Sequence, residues 1–184
     1  MTHATKSPPE ERRRDTAGVI AAPPLLFGAA LIVALSLHTI HPIHIASSSA
    51  GTRRLVGAAL IVPGLLLSIA VVRAFGRVGT PVPPYRPTTH FVTTGPYRYT
   101  RNPDYIGQTL TYAGIAVVAN SWWPLFLLPL VLLVVQRGVV RREERYLEAK
   151  FGQEYRDYTA RVARWLPSPK RAGRRGIVAR RSDV

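Results

Sequence analysis

Three long stretches of this chain contain no Lys, Arg, Asp or Glu: Ala17 to Leu37, Leu55 to Val72, and Tyr105 to Gln136. The last is 32 residues long, whereas one helical crossing of a bilayer takes about 20. Asn120-Ser121 interrupts it near the middle, and Trp122-Trp123 supplies indole rings of the kind that settle at a membrane interface. This run therefore reads as two antiparallel spans joined by a tight turn. The pattern predicts an all-α integral membrane protein with about four transmembrane helices, over about 19–37, 55–74, 103–119 and 122–140. A cytoplasmic amphipathic helical segment follows the last of them. The mean hydropathy of +0.06 conceals this pattern, because the 25 Lys and Arg lie outside the apolar runs.

The placement of those cations predicts an orientation. Arg12, Arg13 and Arg14 precede the first run, Arg73, Arg77, Arg86, Arg98 and Arg101 separate the second from the third, and 14 Lys and Arg follow Gln136, where the last run ends. Arg53 and Arg54 are the cations of the remaining loops. An excess of Lys and Arg marks cytoplasmic loops, so both termini and the central loop are expected in the cytoplasm of a multi-pass cell-membrane protein. The competing reading, a secretory signal at the N-terminus, lacks a small-residue cleavage pattern followed by a soluble domain. A net charge of +15 raises nucleic acid as a partner, but no recognition helix, zinc-ligand set or aromatic sheet signature accompanies it. Anionic lipid is the expected attractor. The absence of cysteine removes disulfides, thiolate metal sites and a cysteine nucleophile.

Residues 1–16 read as a flexible cytoplasmic N-terminus, 17–166 as a single membrane domain, and 167–184 as a basic disordered tail. Pro23-Pro24 stand near the start of the first span, where proline is tolerated, and Pro63-Gly64 at the middle of the second predict a kink or a locally opened backbone. From Phe75 to Arg101, Pro81, Pro83, Pro84 and Pro87 forbid a continuous helix, and a loop of this length is commonly functional. After the fourth span, Leu147, Phe151, Tyr155, Tyr158 and Val162 recur at helical spacing, with Gly152 as a candidate break. His38, His41 and His44 recur every three residues, but Pro42 breaks a shared helix face and no carboxylate joins them, so no metal site is expected. Ser47, Ser48 and Ser49 read as a flexible loop.

Two segments gather polar chemistry at the membrane edge. In the first, Asn102 is placed to cap a helix that Pro103 begins, with its free amides and the nearby Arg98 and Arg101 suited to an anion. In the second, Glu143 lies four residues before Leu147 and hence on the apolar stripe, where a carboxylate needs a cationic partner or must be neutralised. Arg98, Arg101 or Arg161 could supply a salt bridge. Glu144 and Glu148 lie further round and can pair with neighbouring arginines.

Taken together, GPYRYTRNPDYIG and REERYLEAKFGQEYRDYTARV resemble the isoprenylcysteine carboxyl methyltransferase-like family of integral-membrane methyltransferases, which includes bacterial phospholipid-methyltransferase-like members. The resemblance covers roughly residues 50–167. It implies an enzyme that transfers methyl groups from S-adenosyl-L-methionine to a lipophilic, membrane-partitioned acceptor, whether carboxylate, amine or other. It also implies a cofactor pocket lined by His90, Phe91, Val92, Tyr97, Asn102, Pro103, Asp104, Tyr105 and Glu143, with Arg101 and Arg161 near the reacting centre. The chain departs from the pattern at Asn102, where relatives commonly have His, at Ala163 for the usual Pro, and at Val139, where some relatives have a substrate-binding Arg. No Gly-x-Gly-x-x-Gly fingerprint follows a strand, so membrane-helix ends and the cytoplasmic segment are expected to hold the cofactor. Two alternatives remain: a nicotinamide-dependent membrane sterol or enone reductase, whose Asp after the Tyr-x-Gly element is Gln108 here, and a non-enzymatic lipid-binding protein.

Overall fold

A computed structural model describes residues 16–79, 88 and 91–165. The flexible N-terminus expected over 1–16 therefore lies almost wholly outside the described residues, as do the basic tail, His90 and most of the proline-rich loop. The described residues are helical, with no named strand and one isolated parallel bridge between Thr100 and Ala163.

Helix α1 spans Pro23–Ile40. It begins at the proline pair rather than at Val19, because the ring of Pro23 forces Ala22 into an extended conformation (φ −65°, ψ 129°) while suiting the first helical turn itself. Helix α2, Ala50–Arg77, starts before the apolar run. Ser49 caps it by accepting a hydrogen bond at 3.2 Å from the Thr52 amide, so this serine is an ordered cap rather than part of a flexible loop. The helix is uninterrupted through Pro63. Helix α3 spans Pro103–Val118 and α4 spans Trp122–Val135. Between them Asn120 adopts a left-handed φ of 52°, and its Oδ1 accepts from the amides of Ile45 and Ala46, both at 3.1 Å. A five-residue π turn, Gln136–Val140, then leads into α5, Arg141–Arg161.

Three helical segments are long and apolar enough to cross a membrane: Pro23–Ile40, Ala50–Arg77, and the continuous run Trp122–Arg161. Helix α3 has 16 residues, about 24 Å at 1.5 Å per residue, which is short for a hydrocarbon core of about 30 Å. It lies against α2 through glycine. A Cβ on Gly107 would stand 2.8 Å from the Gly64 carbonyl oxygen, and one on Gly114 would stand 2.7 Å from that of Gly57. The two contacts are seven residues apart on each helix. Without side chains at these points the backbones meet directly, which is how helices pack where lipid removes the hydrophobic drive. On the other side α1 packs on α4, around Phe27, Tyr112, Val131, Val135, Val139 and Val140.

Candidate active site

The N-termini of α1 and α3 and the C-termini of α2 and α4 come to the same end of the bundle, and two bends close a cavity there. The first is Gly95, whose φ of 61° starts the short 3-10 turn Gly95–Arg98. The second is Gly152, at φ 52° and ψ −118°, which turns the distal half of α5 out of line. Few residues with a side chain tolerate either conformation. The turn at Gly152 lets Tyr155 and Tyr158 pack on Phe91, with ring centroids 5.5 and 5.0 Å away. The Tyr158 hydroxyl also donates to the Tyr97 carbonyl at 2.9 Å.

The chain beyond α5 is then pinned to the start of α3. Arg101 N donates to Ala163 O at 2.9 Å, and the Arg164 carbonyl accepts from Thr100 Oγ1 at 3.1 Å and Asn102 Nδ2 at 2.9 Å. Asn102 thus stands at the cap position without capping. Its side chain donates to Arg164 instead of accepting from the helix amides, which corrects the role expected from its position.

The cavity has a volume of about 310 Å³, near the lower end of the roughly 300–1,000 Å³ usual for small-molecule sites. Of the residues singled out by the sequence, Phe91, Val92, Tyr97, Arg101, Asn102, Asp104, Tyr105 and Glu143 line it. Pro103 is buried beside it and Arg161 lies outside it, exposed, with Nε donating to the Asp157 carbonyl at 3.1 Å. Arg161 is therefore not brought to the centre, because the turn at Gly152 directs Tyr155 and Tyr158 inward and leaves it on the outer face. His90 is outside the described residues. Val71, Phe75, Tyr146, Tyr155, Tyr158 and the segment around Ala17 and Ala22 also line the cavity. The tyrosine spacing was visible in the sequence, but only as a packing stripe.

The charges are arranged differently from the anion-binding corner expected. Glu144 takes up both nearby guanidiniums, with Arg101 Nη1 at 3.0 Å and Arg164 donating through Nε and Nη2 at 2.9 and 2.7 Å. Glu143 has no ion-pair partner among the described residues; the Tyr105 hydroxyl donates to its Oε2 at 2.8 Å. Asp104 accepts from Gln108 Nε2 at 2.7 Å and Ser68 Oγ at 3.2 Å. The cavity therefore contains two carboxylates, Glu143 and Asp104, that no guanidinium answers among the described residues. Burial pushes the Glu143 carboxyl up to about 7, and Asp104 and Glu144 add to the rise while the Tyr105 hydrogen bond opposes it. Burial also lifts Tyr97 well above the ordinary tyrosine range, with Glu143 and Asp104 adding to it. The same cause takes Tyr155 to about 12 despite the opposing hydrogen bond from Arg101.

The sequence model of the phospholipid methyltransferase family matches residues 52–154, more than half of the chain and all of α3 and α4. The chain belongs to the phospholipid methyltransferase family. This family is one of membrane methyltransferases, in keeping with the apolar helices. Among curated proteins, an uncharacterised protein of Haemophilus influenzae is 36% identical over 62 residues, which make up 34% of this chain and 78% of that protein. The nickel-cobalt-cadmium resistance protein NccN of Alcaligenes xylosoxydans xylosoxydans is 30% identical over 82 residues, 45% of this chain and 38% of that protein. The matched segment thus spans well under half the length of NccN. No solved structure matches the chain. Among the described residues no group of three or more His, Asp or Glu is placed to hold a metal ion. The His38 and His44 rings instead meet edge to face at 5.3 Å.

Proposed function

We propose that this family member transfers methyl groups from S-adenosylmethionine to a lipophilic, amine-bearing acceptor, at the cytoplasmic end of the bundle and with both chain termini in the cytoplasm. The observation that carries this reading is Glu143, a carboxylate with no ion-pair partner among the described residues, in an aromatic-walled cavity at the membrane edge. The cavity residues fit the cofactor by their chemistry. Glu143 and Asp104 attract its positive charges, and the faces of Tyr97 and Tyr105 suit a sulfonium or an adenine. When bound, S-adenosylmethionine supplies a methyl group on positively charged sulfur, so the protein's tasks are alignment and exclusion of water. Tyr158 holds the Tyr97 backbone, and Phe91 and Val92 close the apolar wall. Arg101, the residue that would orient a carboxylate acceptor, is engaged by Glu144, and Arg161 lies outside. An amine acceptor, unlike a carboxylate one, meets charge of opposite sign in this cavity.

The positive-inside distribution supports the orientation: the cavity end of the bundle carries Arg73, Arg77, Arg98, Arg101, Arg137, Arg141 and Arg142, and the opposite end Arg53 and Arg54. A nicotinamide-dependent reductase would need to place phosphates among cavity residues whose unanswered charges are negative. A purely lipid-binding protein leaves the enclosed carboxylates without a role. Calorimetry on the purified protein in detergent distinguishes the three. S-adenosylhomocysteine is expected to bind and NADPH not to; NADPH binding in its place would overturn the assignment.

A further inference from the structure

On the outer side of α4, Phe126, Leu130 and Leu133 are exposed by 57%, 57% and 42%. The same face continues, at steps of four residues, into Arg137, Arg141 and Arg145, all exposed. One turn of that interval is the π turn, whose extra residue offsets the drift that steps of four would otherwise accumulate. These three arginines, with Arg164, Glu144 and Glu148, line a groove of about 560 Å³. Both glutamates are already engaged: Glu144 by Arg101 and Arg164, Glu148 by Arg156 at 3.7 Å. Arg137, Arg141 and Arg145 ion-pair with no carboxylate among the described residues, and Arg145 Nε is satisfied by the Arg141 carbonyl at 3.2 Å. The groove therefore has surplus positive charge, and it begins at the residue where the charge-free run ends, which is headgroup depth for a helix crossing a bilayer.

We propose that this groove is a binding site for an anionic phospholipid of the bilayer, separate from the cavity and independent of its chemistry. Arg137, Arg141 and Arg145 hold the headgroup phosphate, and the acyl chains lie along Leu133, Leu130 and Phe126. Guanidiniums bind phosphate oxygens through paired donors. The exposed apolar stripe beneath them favours a lipid over a free phosphate, which would have no use for it.

The full chain in detergent can be titrated with short-chain phosphatidylglycerol by native mass spectrometry, with phosphatidylcholine and inorganic phosphate as comparison ligands. The combined variant Arg137→Gln, Arg141→Gln, Arg145→Gln is set beside a charge-matched variant, Lys170→Gln, Arg171→Gln, Arg174→Gln. Each arginine at an anionic interface adds about fivefold to affinity, so the groove variant is expected to lose on the order of a hundredfold and the control less than about twofold. Phosphatidylglycerol should bind more tightly than phosphatidylcholine and stay bound against a millimolar excess of inorganic phosphate. Equal losses in the two variants, equal binding of both lipids, or displacement by phosphate would each overturn the site. If the triple variant does not fold, as judged by circular dichroism, Arg141→Gln alone must show about a fivefold loss.

Discussion

Glu143 is subject to two opposed demands, since burial favours its neutral form and a cationic ligand favours its charged one. Glu143→Gln should weaken S-adenosylhomocysteine binding ten- to a hundredfold, from the loss of a charged contact of about 1.5–3 kcal/mol. Glu148→Gln, on an exposed pair, should change it little; calorimetry on both variants decides. The raised pKa also sets a pH dependence. Between about 4.5 and 7 the folded protein keeps a proton that the unfolded chain has released. The contribution of Glu143 to stability is therefore full below 4.5, is lost as pH rises to about 7, and amounts to about 3 kcal/mol. Melting curves of the ligand-free protein should fall over this window more steeply than those of Glu143→Gln. Affinity for the cationic cofactor should run the other way, rising through pH 7 with release of a proton. The position of Glu143 was legible in the sequence, because counting back from Leu147 puts it on the apolar stripe. Its partner was not: whether an arginine or Tyr105 reaches it depends on how the chain around Arg164 docks beside Thr100 and Asn102.

Among the elements, the paired glycines of α2 and α3 make the sharpest prediction. Gly107→Val should lower the melting temperature strongly, because its first side-chain carbon would already stand 2.8 Å from the Gly64 carbonyl oxygen, backbone that cannot yield cheaply. Gly28→Ala is the control, since nothing lies within 4 Å of its added carbon and a helix interior prefers Ala by about 0.5–1 kcal/mol. Equal effects in the two would mean that α2 and α3 do not pack through these glycines. Helix identity was legible from charge-free length, and the break at Asn120-Ser121 from composition. The π turn was not, for nothing local in Gln136 to Val140 demands an extra residue, and its Gly138, Val139 and Val140 are buried by tertiary packing. Nor was the full effect of Gly152, which the sequence marks as a break without showing that it turns two tyrosines inward.

For the whole molecule, the orientation predicts that a cysteine replacing Ser48 is labelled by a membrane-impermeant thiol reagent in intact cells, and one replacing Ser168 only after permeabilisation. The reverse pattern would invert the proposed topology. Ahead of α1 the chain runs past the mouth of the cavity. Ile20 N donates to Gly138 O at 3.3 Å, and Arg142 Nη1 donates to Gly18 O, 124 positions earlier in the chain, at 2.7 Å. These stitches join a segment that precedes α1 to one that follows α4. At about 5–20 residues per second the intervening chain takes roughly 6–25 seconds to make. Throughout that interval Gly18 and Ile20 lack these two partners, so the cavity is completed only after every apolar helix has been synthesised.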